Sequence, residues 1–205
     1  MGVNMKVMQT NEQLEEARLR ELYSLDILDT PLEPQFDRIM SLAARYFKTS
    51  YGSVTFVDKE RQWFKASMGY QTHEDPRQFS VCSFTIQQPK ILVIPDLSKD
   101  NRTAHFPKVQ EDPHLRFYAG APIITDRGYS VGAICVLDQE PRVFTQDDQQ
   151  ALLDFAQLVS SELRLRQTLK CLSAQAFTDV LTGLPNRRAF EYALAHACQQ
   201  AENTK

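Results

Sequence analysis

The chain has 205 residues, 42% of them hydrophobic and 24% charged, with a formal net charge of −3. That balance fits one ordinary domain with an appendage, or two small domains, and excludes a disordered chain. The charge is too small to argue for nucleic acid or a membrane surface as a partner, and no apolar run approaches the roughly 18–20 residues of a membrane span. The start, MGVNMKVMQT, lacks the apolar core of a signal peptide, and Lys6 stands where a myristoylation signal needs Ser or Thr. Cys82, Cys135, Cys171 and Cys198 are widely spaced with no C-x-x-C, so reduced thiols and a cytoplasmic location are expected.

In chain order, residues 11–24 read as a helix with Leu14, Ala17, Leu22 and Leu25 near one stripe. Asp29-Thr30-Pro31 and Pro34 interrupt it, and a second helix follows over residues 35–47, with Phe36, Ile39, Met40, Ala43 and Phe47 at core spacing. Residues 53–58 and 62–68 predict a hairpin, and residues 69–76 a polar loop. Trp63 and Lys65 alternate with Phe64 and Ala66, a face suited to contact with another subunit. The stretch FSVCSFTIQQ suggests a short helix capped by Ser80, and residues 91–94 a short strand ending at Pro95. A polar crossover with a turn or two of helix occupies residues 96–114, and loops of that length inside a domain are more often functional than idle.

Residues 117–138, FYAGAPIITDRGYSVGAICVLD, are two apolar runs joined by the turn signal Asp126-Arg127-Gly128. In the second run, both alternating sets of side chains are apolar, which predicts a strand covered on both faces in the middle of a sheet. Thr145 with Asp148 three residues on opens a helix that nothing breaks before Phe177. Such a helix would be roughly 45 Å long, against a radius of gyration of about 15 Å for the domain, and would overhang it. Leu152, Ala156, Val159 and Leu163 form one stripe, while Phe155, Leu158, Leu165, Leu169 and Leu172 lie along a second seam. The second seam predicts a homodimer through paired helices, or else packing against residues 11–24.

The segments RQWFKASMG, DPRQFSVCSFTI, ILVIPDLSKDNR and LRFYAGAPI…GYSVGAICVLDQEPR resemble a bacterial GAF sensor domain. The resemblance implies an α+β fold: an antiparallel sheet with helices on both faces, here followed by a long C-terminal signalling helix. FTDVLTGLPNRRAF resembles the opening of a GGDEF domain, the unit with which diguanylate cyclases join two GTP molecules into cyclic di-GMP. On that resemblance Asp179, Thr182, Gly183, Asn186 and Arg187 form a rigid joint between helix and output. The GG-[DE]-EF signature is absent from these residues. The chain alone is therefore not expected to cyclise GTP, and Mg²⁺ and GTP are implied only for a complete parent cyclase. The organisation expected is residues 1–25 as an N-terminal helix, 26–144 as the GAF domain, 145–177 as a connecting coiled-coil helix and 178–205 as the truncated start of a GGDEF domain.

Candidate ligand-binding residues are Cys82, Phe84, Asp96, Asp100, Arg102, Arg116, Tyr118 and Gly120; the alternative role for the charged ones is to pin the crossover. Small residues at Ala119, Gly120, Ala121, Gly132 and Ala133 leave room either for a pocket or for close-packed Phe64, Phe84 or Phe117. Bilin-binding GAF relatives attach chromophore through a Cys commonly followed by His; Ser83 follows Cys82 here, so a buried structural thiol is expected. A few GAF proteins reduce free methionine sulfoxide through paired thiols, which makes Cys82 with Cys135 the enzymatic alternative. His73, His105, His114 and His196 are isolated, and neither metal nor cofactor is expected. The reading is a sensory module that dimerises, takes an unidentified small molecule and passes a signal down its last helix; the alternative is a standalone binding or dimerisation module.

Overall fold

The computed structural model describes residues 10–69, 72–177, 184 and 186. Helix α1 (Asn11–Ser24) starts at Thr10, whose hydroxyl accepts the Gln13 amide proton while the Gln13 side chain accepts from the Thr10 amide. Leu22 and Leu25 of its expected stripe are buried, and Leu14 is exposed. Helix α2 (Pro34–Phe47) has proline at its first position, where a missing N–H costs nothing, and buries Phe36, Met40, Ala43 and Phe47. Lys48 ends it in the left-handed conformation at φ 52°.

Strands β1 (Tyr51–Val57) and β2 (Arg61–Met68) form the expected hairpin. Where a polar loop was expected, β3 (Glu74–Pro76) pairs with the outer edge of β2. Three residues carry too little alternation to announce a strand; backbone pairing and the 2.6 Å ion pair between Arg61 and Glu74 hold it. After a 3₁₀ turn come α3 (Cys82–Thr85), β4 (Leu92–Ile94) and α4 (Pro107–Gln110), the last being the helical turn inside the crossover. Strands β5 (Phe117–Ile124) and β6 (Ser130–Asp138) complete a six-stranded antiparallel sheet of order β3-β2-β1-β6-β5-β4. Central β6 is buried from Val131 to Asp138, as its two apolar faces require.

The two faces are told apart by adjacent pairs. Gly52 lies opposite Val136, and a Cβ on Gly52 would overlap the Met40 methyl of α2. Ser53 lies opposite Cys135, and Cys135 meets Cys82 of α3. Helix α2 therefore covers one face, and α3 with the crossover covers the other.

Lys65 and Trp63 are covered by their own chain, not presented to another subunit. Lys65 is fully buried, its ammonium donating to Thr30 Oγ1 (2.8 Å), the Pro31 carbonyl (2.7 Å) and Glu33 Oε1 (2.7 Å), with the Phe36 ring 5.5 Å away. The prolines that break the chain after α1 lay a strap over β2, and the lysine ties it down.

Helix α5 (Gln146–Phe177) opens on a reciprocal cap in which the Asp148 amide donates to Thr145 Oγ1 (3.1 Å) and the Thr145 amide to Asp148 Oδ2 (3.0 Å). Leu152, Ala156, Val159 and Leu163 are buried as expected. Phe155, assigned to the outer seam, packs within its own chain, its ring 6.0 Å from Phe47 and 6.1 Å from Tyr46. Leu158, Leu165, Leu169 and Leu172 are 51–55% exposed. By contacts the chain forms two compact units, Met1–Glu162 and Leu163–Lys205. Among the described residues no helix is long and apolar enough to cross a membrane.

Candidate functional site

On the face away from α2, the crossover, α3 and the segment after β3 enclose a cavity of about 270 Å³. Its sheet floor is Ser53, Gln62, Phe64, Tyr118, Cys135 and Leu137. Phe79, Leu97, Phe106, Val109 and Leu115 supply most of the remaining wall, so the interior is mainly apolar. The crossover that closes it is pinned by its own polar groups, including Thr103, whose hydroxyl donates to the Leu97 carbonyl at 2.7 Å.

Polar groups enter at three places. Ser80 donates its hydroxyl to Gln62 Oε1, which turns Gln62 into the cavity wall, and Ser80 Oγ accepts the Ser83 amide at 3.2 Å; the N-cap of α3 is Val81, one residue after the Ser80 expected there. Lys108 pairs with Asp75 and lies 5.4 Å from the centre of the Phe64 ring, forming a half-buried charged rim. The third place is the pair of buried thiols: Cys82 Sγ is 3.7 Å from Cys135 Sγ, Tyr118 donates to Cys82 Sγ at 3.3 Å, and Ser53 Oγ is 3.2 Å from Cys135 Sγ. The Tyr118 hydroxyl also meets Thr85 Oγ1 at 2.6 Å.

These contacts order the ionisation of the cluster. The hydrogen bond with Cys135 holds the Cys82 thiol below the usual cysteine value, against burial and with help from Tyr118. The same contact, together with burial, pushes Cys135 up. Burial pushes Tyr118 up as well, with the neighbouring sulfurs adding to it, so the phenol remains a donor.

Of the eight residues singled out from the sequence, Cys82 and Tyr118 line this cavity. Gly120 acts one step away: a Cβ there would stand 2.6 Å from Tyr118 Cζ and 2.9 Å from Cε1, so the missing side chain makes room for the tyrosine. Phe84 stacks 6.4 Å from Phe106 on the outer side of the wall and carries the Arg102 guanidinium 5.4 Å from its centre. Asp100 accepts from the Arg102 amide and guanidinium at 2.6–2.9 Å, which lowers the Asp100 carboxyl and raises Arg102. Asp96 accepts from Ser98 (2.6 Å) and pairs with Lys99 (3.0 Å), and the Ser98 hydrogen bond lowers it. Arg116 donates to the carbonyls of Val109 and Leu115, both at 2.9 Å, and shares a separate shallow groove with Asp96. These four charged residues bind the crossover to itself.

Sequence reading missed Ser53, Gln62, Asp75 and Lys108. Ser53 and Gln62 are polar residues within strands, but Thr55 accompanies the first and Arg61, Lys65 and Ser67 the second, so nothing in the sequence set them apart. Asp75 and Lys108 meet only through the fold. Among the described residues no cluster of His, Cys, Asp and Glu could hold a metal ion. Of the joint residues, Asn186 donates from Nδ2 to the Ala176 carbonyl at 2.9 Å, near the end of α5. Asp179, Thr182, Gly183 and Arg187 lie outside the described residues.

The chain is similar to the cyclic di-GMP phosphodiesterase PA2567 of Pseudomonas aeruginosa, 34% identical over 176 residues, covering 84% of this chain and 29% of that protein. It is also similar to the diguanylate cyclase DgcP of Escherichia coli, 35% identical over 79 residues, covering 35% of this chain and 23% of that protein. The chain thus spans less than a third of the length of these curated relatives. Its fold is similar to the structure of the GAF domain of a phosphoenolpyruvate-protein phosphotransferase from Coxiella burnetii, with a TM-score of 0.58 at 14% identity, over 79% of this chain and 99% of that one. Residues 31–163 match the GAF domain family, from the strap before α2 to the buried stripe of α5. With the six-stranded sheet, the covered central strand and the roofed cavity in place, the chain belongs to the GAF domain family.

Proposed function

We propose that this chain is the sensory part of a cyclic di-GMP signalling protein of the diguanylate cyclase type. In this reading the cavity under the crossover takes a small, mainly apolar molecule, and α5 relays its presence. The observation that carries the reading is the cavity itself: about 270 Å³, apolar-walled, with a few convergent polar groups, which is the usual anatomy of a small-molecule site. Similarity to two cyclic di-GMP enzymes supports the signalling context, as does the likeness of residues 177–190 to a GGDEF opening. Asn186 holding the Ala176 carbonyl supports a stiff joint at the helix end. Mg²⁺ and GTP belong to the cyclase unit of a longer protein, and no catalytic residue is assigned to this chain.

The relay requires two copies. A fully buried Leu is worth about 1.5–3 kcal/mol, so Leu158, Leu165, Leu169 and Leu172 left wet on one helix favour pairing with the same helix of a second chain. The ligand can transmit only by binding two helix arrangements with different affinity. Native mass spectrometry tests both parts together. The expected spectrum is a homodimer retaining a copurified small molecule, and Val109→Trp, which fills the cavity, loses the small molecule and keeps the dimer. A monomer with nothing bound would remove both supports.

A further inference from the structure

We propose that Cys82 and Cys135 are a redox-active dithiol which a small organic hydroperoxide, entering the cavity, converts to an intramolecular disulfide. The two sulfurs come from separate elements, α3 and β6, yet stand 3.7 Å apart in the wall of the cavity. A cysteine that serves packing alone needs no polar company. Here Tyr118 donates to Cys82 Sγ at 3.3 Å, and Ser53 Oγ lies 3.2 Å from Cys135 Sγ. The donor favours the thiolate on Cys82, and the second thiol waits within reach as the resolving group. A disulfide needs the sulfurs at about 2.05 Å, so oxidation must draw the two together from 3.7 Å.

The chemistry balances without an outside reductant. The Cys82 thiolate attacks the distal oxygen of ROOH, the O–O bond breaks, and RO⁻ takes the proton that Cys82 gave up, leaving as ROH. Cys82 is then a sulfenic acid. The Cys135 sulfur attacks it, the S–O bond breaks, and water leaves with the Cys135 proton. Both sulfurs are oxidised by one electron each and the peroxide is reduced by two. The apolar walls of Phe64, Phe106, Val109 and Leu115 favour a hydroperoxide with a hydrocarbon group.

This chemistry goes beyond the ligand reading and does not depend on it: a bond forms whether or not a resident molecule signals from the same cavity. The bond fastens α3 to β6, the strand that leads into α5.

The test uses the whole chain with Cys171→Ser and Cys198→Ser, so that only the pair remains. It is treated with cumene hydroperoxide and digested without reductant. Expected are loss of both titratable thiols, a mass lower by two hydrogens, a peptide linking Cys82 to Cys135, and full recovery with dithiothreitol. Cys135→Ser, which removes the resolving thiol, accumulates a dimedone-trapped sulfenic acid at Cys82, while Cys82→Ser gives no adduct at Cys135. Thiols that persist under peroxide, an irreversible Cys82 acid without the linked peptide, or trapping at Cys135 alone each overturn the proposal. Absence of a copurified molecule bears only on the ligand reading.

Discussion

Two side chains with unusual surroundings set measurable properties of the folded chain. Lys65 is a buried charge whose ammonium is taken up by Thr30, Pro31 and Glu33. Removing it takes the counter-charge from Glu33, frees the strap and leaves a gap beside Phe36, so Lys65→Ala is expected to lower stability by about 2–4 kcal/mol in urea unfolding. Glu15 is buried enough to be pushed up, but hydrogen bonds from Arg18 and Arg77 outweigh burial and hold it at about 2, below its ordinary 4.5. A carboxylate depressed on folding stabilises the fold above the unfolded value, and that contribution is lost as pH falls toward the folded one. Glu15→Gln is therefore less stable than the unaltered chain at neutral pH, and the gap closes between pH 4.5 and about 2, as thermal melts across that range will record. At Gly120 even a methyl group collides with the Tyr118 ring. Gly120→Ala is expected to cost about 1–3 kcal/mol and to move the phenol off Cys82, read as a lower melting temperature with altered Cys82 alkylation.

At the scale of elements, α5 has two unlike faces. Leu152, Ala156 and Val159 are buried, while Leu165, Leu169 and Leu172 remain exposed. Replacing those three exposed leucines with Gln is expected to convert a dimer to a monomer in sedimentation, leaving the cavity and its ligand unchanged. In a longer protein carrying the GG-[DE]-EF signature, one residue inserted after Arg166 turns the following seam by about 100°. Cyclase output should change, and unaltered output would count against transmission along the helix. Phe155 shows why a seam read from spacing needs checking against packing. It fits the outer stripe by position, yet aromatic neighbours from α2 hold it inward.

For the whole molecule, the sheet fixes where chemistry can occur. One face is filled by α2, with Met40 pressed against Gly52. The other is covered by short helices and a crossover that bonds mainly to itself through Asp96, Asp100, Thr103 and Arg116. A roof that satisfies its own polar groups need not fill the space beneath it. The cavity therefore stays open, bounded by the aromatic and aliphatic side chains of the crossover. The thiols lie at its inner wall because β6, the most covered strand, passes there.

The sequence by itself determined the elements whose signal is local and repeated. The helices over 11–24 and 146–177, the two hairpins and the two-faced strand were all legible, because periodic burial writes itself into neighbouring residues. So was the family, in the order of its motifs. Tertiary structure alone decided which residues meet: Lys65 turned inward under the strap, Asp75 found Lys108, and Cys82 came to rest against Cys135. The reason is physical. A cavity is defined by side chains from distant segments that fail to touch, and no spacing along one chain records where separate segments leave room between them.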